Sequence, residues 1–427
     1  MGDKSGIRTV DDLFYYRIKE DSQEVVIEDI DFAYLKKTSS TLKIPGFIED
    51  LPVIKIEDQA FEIVYGFKKV ILPDGLREIG RRSFSGAGIR EVYLPSTLEK
   101  IDEFAFLLCG VKRVTFFGVN KKSHQRAFNR LELSPSAFDG NYIDEILVEE
   151  ENPFAKDING KGLYSKDGKR LNLGTVSGKI EDGTEIIGRN AFKGRGLRSV
   201  NMPDTVIKVE RSAFEHNDID KINFSQNLEV IEDDSFLDNE IEQVVLPKSL
   251  KTIGKEAFFK NRIRDIKFKE GIEEIGWGAF SSNKLKELKL PKTLRTVNEL
   301  AFSFNQIERV SFANQGTVLG RRAFHKNEFR EVCLAHDIVG EKDRFNFSIF
   351  EHNPIERVFV KEPLNRPLRE YIREAVLEHK AEIFFHEKTK EYRDHYSGLD
   401  EKVINSEKVF TLDNDEFKNV KRMSGAF

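Results

Sequence analysis

The sequence predicts a repeat solenoid built mainly from β-strands, and three recurring columns of residues predict it. The first column is a phenylalanine that returns every 22 residues without a slip between residues 192 and 324. The second is an asparagine three positions later, and the third is an apolar triplet of the form L-x-x-L-x-L. One such unit cannot bury its apolar face alone, so a fixed period of this length indicates stacked coils.

The first two columns are expected to be structural. The phenylalanines, called the Phe markers, are Phe192, Phe214, Phe236, Phe258, Phe280, Phe302 and Phe324, and earlier ones stand at Phe61, Phe84, Phe106 and Phe138. Each places a large apolar side chain at one corner of a coil. The asparagines are Asn217, Asn239, Asn261, Asn283, Asn305 and Asn327, with Arg195 in their place after Phe192. Asparagine tolerates left-handed dihedrals and bonds nearby backbone, so this column predicts a turn.

The apolar triplet predicts a strand. Its last two positions, for example Leu288 and Leu290, lie two residues apart and therefore point to one face of the strand. The residue between them faces solvent, and stacked copies form a parallel sheet. This spacing and coil length are those of leucine-rich repeats, with a coil of 22 residues.

Residues 1–56 do not fit the period and are expected to form an N-terminal β cap. Apolar runs at 13–18 and 24–27 flank a polar turn and predict two strands. A cap is expected because an exposed solenoid end would pair with another chain. The repeats then span residues 57–360.

Two insertions interrupt the repeats. The coil that begins at Phe106 carries about ten extra residues, whose basic members include Lys121, Lys122, Arg126 and Arg130. Insertions in repeat arrays form loops, often on a binding face, and a solvated basic loop is the alternative. The second insertion, at about 149–182, holds Asp167-Gly168 between apolar runs, which indicates a hairpin. We expect this hairpin to project and to divide the solenoid into a shorter and a longer arm.

The C-terminal part departs from the repeat again. Residues 367–380 have apolar positions on one helical face, and 381–385 read as a strand. Together they predict a helix/strand cap at 361–387. Residues 388–427 form a polar extension that either lies on this cap or is ordered by a partner.

The repeat resembles the BspA-like class of bacterial leucine-rich repeats. The resemblance rests on Ala-Phe-x-x-Asn-x-Ile/Leu-x-x-Ile/Val-x-Leu-Pro, as from Ala279 to Pro291, and it covers about residues 12–360. The hairpin insertion and the N-terminal strands are also similar to that family. The resemblance implies a surface or secreted adhesion protein that binds host proteins or other cells.

Composition narrows the partners and the location. A net charge of −5 with 33% charged residues of both signs gives no nucleic-acid or membrane footprint. The first thirty residues lack an apolar signal segment, which favours a cytoplasmic location; a signal peptide removed from the chain would make it extracellular or cell-surface. Cys109 and Cys333 are too few for a disulfide framework or a four-thiolate zinc site.

No residue set predicts catalysis. His216, His325 and His352 stand one or two residues after a Phe marker, in the same turn of their coils. Three further histidines at 379, 386 and 395 would span a helix, a strand and the extension, which does not fit a zinc motif. No dinucleotide loop, phosphate loop or nucleophile elbow occurs. We predict no catalytic residue, no cofactor and no metal ligand, and an enzyme or a metal-binding protein is the weakest alternative.

The outward row of the predicted sheet is the candidate partner site. Its proposed binding residues are Tyr93, Asn201, Asn223, Val245, Lys267, Lys289, Ser311 and Phe359, and none is acidic. Apolar residues at the ends with polar and basic ones between suit a protein partner, and the basic loop favours an acidic one. Backbone packing is the alternative reason for the missing acids. The two function hypotheses are an intracellular recognition or adaptor subunit and an extracellular adhesin.

Overall fold

The computed structural model describes residues 8–10, 13–31, 40–119, 131–153, 155–312, 317–334, 347–360, 382–386 and 409–412. The chain divides into two compact units. The first consists of Met1–Val206 with Ser212–Asp218, and the second of Ile207–Arg211 with Ile219–Phe427. Each unit is a stack of β coils, which confirms the predicted mainly-β solenoid. Among the described residues, no helix has the length and apolar character needed to cross a bilayer.

The first unit is built from short strands. They are β1 (Arg8–Val10), β2 (Phe14–Lys19), β3 (Glu24–Ile30), β4 (Thr41–Lys43), β5 (Phe47–Ile48), β6 (Leu51–Ile56), β7 (Lys69–Ile71), β8 (Glu78–Ile79), β9 (Glu91–Leu94), β10 (Lys100–Ile101), β11 (Arg113–Phe116), β12 (Glu132–Leu133), β13 (Glu145–Val148), β14 (Ala155–Asp157), β15 (Gly162–Ser165), β16 (Arg170–Gly174), β17 (Ile186–Ile187) and β18 (Ser199–Asn201).

Two sheets of the first unit enclose its core. One sheet begins with the antiparallel strands β1, β2 and β3 and continues in parallel through β6, β8, β10 and β12, with β5 paired to β6. The other is parallel in the order β13, β11, β9, β7, β4. β2 and β3 lie where the two N-terminal apolar runs predict strands. Val92 and Ile101, one from each sheet, are both fully buried in the same core, as the period of two requires.

The hairpin insertion is present but does not project. β15 and β16 are antiparallel, with Gly168 at a φ of 80° in the connecting turn, and β16 then pairs in parallel with β17 of the next coil. Leu163 and Leu173 belong to the core, and Tyr164 and Leu171 have no exposed surface. The expectation of a protruding arm is therefore wrong. Its apolar side chains gain more by packing against the coil than a projecting hairpin would allow.

The second unit continues the repeat. Its strands are β19 (Lys208–Val209), β20 (Lys221–Asn223), β21 (Val230–Ile231), β22 (Gln243–Val245), β23 (Thr252–Ile253), β24 (Asp265–Lys267), β25 (Glu274–Ile275), β26 (Glu287–Leu290), β27 (Thr296–Val297), β28 (Arg309–Phe312), β29 (Val318–Leu319), β30 (Glu331–Leu334), β31 (Arg357–Val360), β32 (Glu382–His386) and β33 (Val409–Leu412), with a 3-10 helix at Phe347–Phe350.

Three sets of parallel pairings organise the second unit. β19, β21, β23, β25, β27 and β29 follow one another in one sheet. The triplet strands pair as β22 with β24 and β26 with β28, and β30 to β33 form a four-stranded sheet. β32 lies where a C-terminal strand was predicted. The predicted helix at 367–380 and most of the extension at 388–427 lie outside the described residues.

The Phe markers stack ring on ring inside each unit. In the first unit Phe61, Phe84 and Phe106 have centroid separations of 4.9 and 5.1 Å. In the second unit Phe258 lies 5.1 Å from the rings of both Phe236 and Phe280. All five side chains are fully buried, so the column is core, as predicted.

The asparagine column bonds successive coils to one another. The Nδ2 group of Asn283 donates to the carbonyl oxygens of Phe258, Phe280 and Ser281 at 2.9, 3.1 and 3.3 Å. Its Oδ1 accepts from the backbone N–H of Ile263 at 3.0 Å. The side chain is only 7% exposed, so its donors and acceptor satisfy backbone groups that water cannot reach. These contacts confirm the structural role predicted for the column.

Arg195 fills the same place with a longer donor. Its Nη1 group donates to the carbonyl oxygens of Asn141 at 2.7 Å and Lys193 at 3.2 Å. The side chain is 2% exposed, and burial lowers its pKa to about 10. Nearby Asp139 is also buried, which raises the pKa of its carboxyl to about 6. The pair marks the coil that follows the hairpin insertion.

Candidate functional site

The predicted sheet face is exposed in the second unit. Val245 lies opposite Lys267 in the β22–β24 pair, and Lys289 lies opposite Ser311 in the β26–β28 pair. Val245 is 52% exposed, both lysines are exposed and Ser311 is half-buried. Asn223, at the end of β20, is exposed as well. Their outward direction follows from the alternation that buries the residues on either side of each.

Ion pairs flank this row but do not include its lysines. Arg264 lies 3.7 Å from Glu242, and Arg309 lies 4.0 Å from Glu287, each pair bridging neighbouring coils. Within the described ranges, neither Lys267 nor Lys289 has an ion pair or a side-chain hydrogen bond. The row thus presents two free ammonium groups beside charges that already balance one another. These two lysines, Val245 and Asn223 are called the lysine row.

The first unit contributes Tyr93 and Asn201. Tyr93 is half-buried and held in place, because its hydroxyl donates to Glu91 Oε2 at 3.1 Å and Lys69 Nζ lies 4.1 Å from its ring centroid. Asn201 is exposed at the end of β18. Sequence reasoning missed Leu147, which occupies the same outward position in β13 and is 37% exposed. Its place between Ile146 and Val148 was the signal that could have revealed it.

Two of the predicted contacts are not available on the surface. Phe359 is 2% exposed in β31, which has β30 on one side and β32 on the other. Its outward place in the strand alternation therefore does not give solvent contact, and its assignment to the partner face is wrong. The buried Tyr164 likewise removes the hairpin from that face. The basic loop residues Lys121, Lys122, Arg126 and Arg130 lie outside the described residues.

Exposed apolar side chains also occur at the Phe-marker turns of the first unit. Ile63 and Leu108 each stand two residues after a marker, at φ of 60° and 52°, and are 56% and 66% exposed. The left-handed region is unfavourable for such side chains, above all for a β-branched one. Comparison of this column with polar members such as Lys260 could have singled them out from the sequence.

A groove of about 560 Å³ lies on the second unit beside β23 and β25. Trp277 is 37% exposed there, and Lys255 Nζ lies 4.9 Å from its ring centroid. Gly254 and Gly276 belong to its lining. A Cβ added at Gly276 would lie 2.5 Å from the carbonyl carbon of Gly254, so close approach of the two coils explains these glycines.

A cluster of His325, Glu351 and His352 lies on two consecutive turns of the second unit. His325 Nδ1 lies 3.4 Å from His352 Nδ1 and 3.6 Å from Glu351 Oε2. Arg322 Nε donates to Glu351 Oε2 at 2.6 Å and lowers the pKa of that carboxyl, while burial lowers the pKa of His325. In the part of the chain that the structure describes, these are the one group of three residues able to hold a metal ion together. The sequence showed the shared turn position but not that Glu351 joins the two rings.

Comparison with known proteins places the repeats in one family. A model described as the BspA type leucine rich repeat region matches in six copies over residues 31–146, 172–282 and 229–356. No curated protein matches the chain.

Several solved bacterial proteins are similar in structure. The pneumococcal vaccine antigen PcpA is 14% identical, with a TM-score of 0.45, over 88% of this chain and 98% of its own. A leucine-rich repeat protein from Eubacterium ventriosum is 14% identical, with a TM-score of 0.43, over 74% of this chain and 93% of its own. A leucine rich cell surface protein from Faecalibacterium prausnitzii is 18% identical, with a TM-score of 0.30, over 72% and 95%.

Proposed function

This chain belongs to the BspA-type leucine-rich repeat family, and from that membership we propose that it is a non-catalytic protein-binding scaffold. It binds its partner through the triplet-strand face of the second unit, as a recognition or adaptor subunit of a larger assembly. A stack of coils suits this task because neighbouring strands present side chains at a fixed spacing over an extended surface.

The observation that carries the proposal is the lysine row. Lys267 and Lys289 are exposed without an ion pair in the described structure, and Val245 adds apolar surface beside them. The flanking pairs Arg264–Glu242 and Arg309–Glu287 already balance each other. An acidic partner gains two ion pairs here without breaking existing ones, and complementary charge raises the association rate and the specificity.

An extracellular adhesin is the second candidate. The family resemblance implies surface or secreted proteins that bind host proteins or other cells. The same lysine row would then meet a host protein instead of an intracellular one. The two candidates differ in the source of the partner and not in the surface used.

Capture experiments test both candidates. The chain is immobilised and exposed in parallel to native cell lysate, to culture medium and to host surface proteins. The triple variant Val245→Asp, Lys267→Glu, Lys289→Glu reverses the charge of the lysine row, and we expect it to lose the partner that the wild type retains. Its side chains face solvent, so stability should change little.

A matched control separates the face from net charge. The variant Lys251→Glu, Lys260→Glu, Ser282→Asp carries the same change in charge at positions away from the lysine row. It should retain the partner. Equal capture by wild type and the lysine-row variant, or equal loss in both variants, would remove this face as the binding site.

A further inference from the structure

The turns that follow Phe324 and Phe350 bring three metal-ligating side chains together. The two rings stack at 5.5 Å, and the backbone N–H of Lys326 donates to the carbonyl of Glu351 at 3.0 Å. These contacts fix the two turns against each other. Glu351 then lies beside His325, the residue at the same position of the preceding coil. His352 follows at a φ of 60°, which directs its side chain back towards the same point.

The distances among the donor atoms fit a tetrahedral ion. Two ligand atoms of a tetrahedral zinc ion, each about 2.0–2.1 Å from the metal, lie about 3.3 Å apart. The two histidine Nδ1 atoms are separated by 3.4 Å. The carboxylate oxygens of Glu351 lie 3.6 Å from His325 Nδ1 and 3.8 Å from His352 Nδ1. The three edges of the expected coordination polyhedron are therefore present before an ion enters.

A direct hydrogen bond between the imidazoles explains the arrangement less well. Good N–H donors lie 2.7–3.2 Å from their acceptors, and 3.4 Å between ring nitrogens exceeds that range. The two rings are perpendicular, with centroids 4.8 Å apart. Perpendicular rings allow both Nδ1 lone pairs to point at one ion, and the same carboxylate faces both.

We propose that His325, Glu351 and His352 bind a divalent transition-metal ion of the zinc class. Two imidazoles and one carboxylate form a ligand set that suits zinc and its neighbours rather than calcium or magnesium. The His325 side chain is 9% exposed and that of His352 is 59% exposed, so the fourth position opens to solvent.

Arg322 shapes the site from outside. Its Nε donates to Glu351 Oε2 at 2.6 Å, which fixes the carboxylate as outer partners of metal ligands commonly do. Its positive charge also cancels the charge of Glu351. The ion is therefore bound less tightly than in a closed site with several anionic ligands, and a partner carboxylate is a suitable fourth ligand. Because the ligands come from two coils, the ion also ties those coils together.

Metal titration of the full chain tests the proposal. Tag-free protein is stripped with a chelator and titrated with Zn²⁺ by calorimetry, and with Co²⁺ by visible absorption, which reports tetrahedral coordination. We expect one ion per chain, a tetrahedral Co²⁺ spectrum and a rise in unfolding temperature on Zn²⁺ addition. Failure of the stripped wild type to bind either ion would overturn the site.

Two variants locate the bound ion. His352→Gln removes an exposed ligand and Glu351→Gln keeps an acceptor for Arg322, so both should fold, as far-UV circular dichroism will verify. Each should weaken Zn²⁺ binding by about 100-fold, since loss of an outer partner alone costs 10–100-fold. His216→Ala is the matched control, because His216 pairs with Glu215 at 3.0 Å in the same turn position. Wild-type affinity in both ligand variants, or equal loss in the control, would contradict the assignment.

Discussion

Replacement of one asparagine of the ladder is the sharpest test of what joins the coils. Asn283→Ala removes three donated hydrogen bonds and one accepted bond. Two of them, to the carbonyl of Phe258 and from the N–H of Ile263, connect to the preceding coil. Net loss of a neutral hydrogen bond costs about 0.5–1.5 kcal/mol, and a buried group left unpaired costs about 1–3 kcal/mol. We expect a loss of about 2–4 kcal/mol in the free energy of unfolding, since the site is only 7% exposed.

Urea unfolding and hydrogen exchange measure the effect and its location. The amide of Ile263 and the two coils beside Asn283 should lose protection first, because each coil contacts mainly its neighbours. Lys284→Ala is the matched control, since this adjacent side chain is exposed and should change stability by less than about 0.5 kcal/mol. Asn283→Asp should be worse than Ala, because it places a negative charge against three carbonyl oxygens. A stability of Asn283→Ala equal to that of Lys284→Ala would refute the ladder as a structural element.

Three further predictions follow from buried groups. Phe258→Ala should cost about 3–5 kcal/mol by urea unfolding, because the ring is fully buried between two stacked markers; a smaller loss than for an exposed phenylalanine would contradict the stack. In a Cys333→Ser background, Cys109 should resist Ellman's reagent until the protein unfolds, since burial raises the pKa of its thiol to about 12; rapid labelling of native protein would be the opposite result. The raised pKa of Asp139, about 6, means that its stabilising contribution is present below about pH 4 and is lost as the pH rises through 6. Asp139→Asn should therefore raise the urea midpoint at pH 8 but not at pH 4, and an unchanged midpoint at pH 8 would count against that shift.

The sequence could predict what every coil repeats. Phe258 and Asn283 meet the same neighbours as their counterparts 22 residues away, so one period reveals the environment of the whole column. Arg195 shows where that reasoning ends. Its Nη1 donates to the carbonyl oxygen of Asn141, 54 positions earlier, across the hairpin insertion. A break in the period hides which coil becomes the neighbour.

The wrong and missed assignments share one physical cause. Strand alternation gives the direction of a side chain, but it does not give what packs on that side, which is why Phe359 and Tyr164 are buried. The cluster around His325 depends on the 26-residue interval between Phe324 and Phe350. Only the contact of the two turns shows that Glu351 returns to the position beside His325.

Lysine reactivity with the bound partner present tests the central claim most directly. The captured partner is added to the intact chain, and the rates of amine acylation at Lys267 and Lys289 are compared with those at the exposed Lys251 and Lys260. If the lysine row is the binding face, the first two rates fall several-fold and the control rates do not change. Unchanged reactivity of Lys267 and Lys289 under saturating partner, or protection of Lys251 and Lys260 instead, would contradict the proposed face.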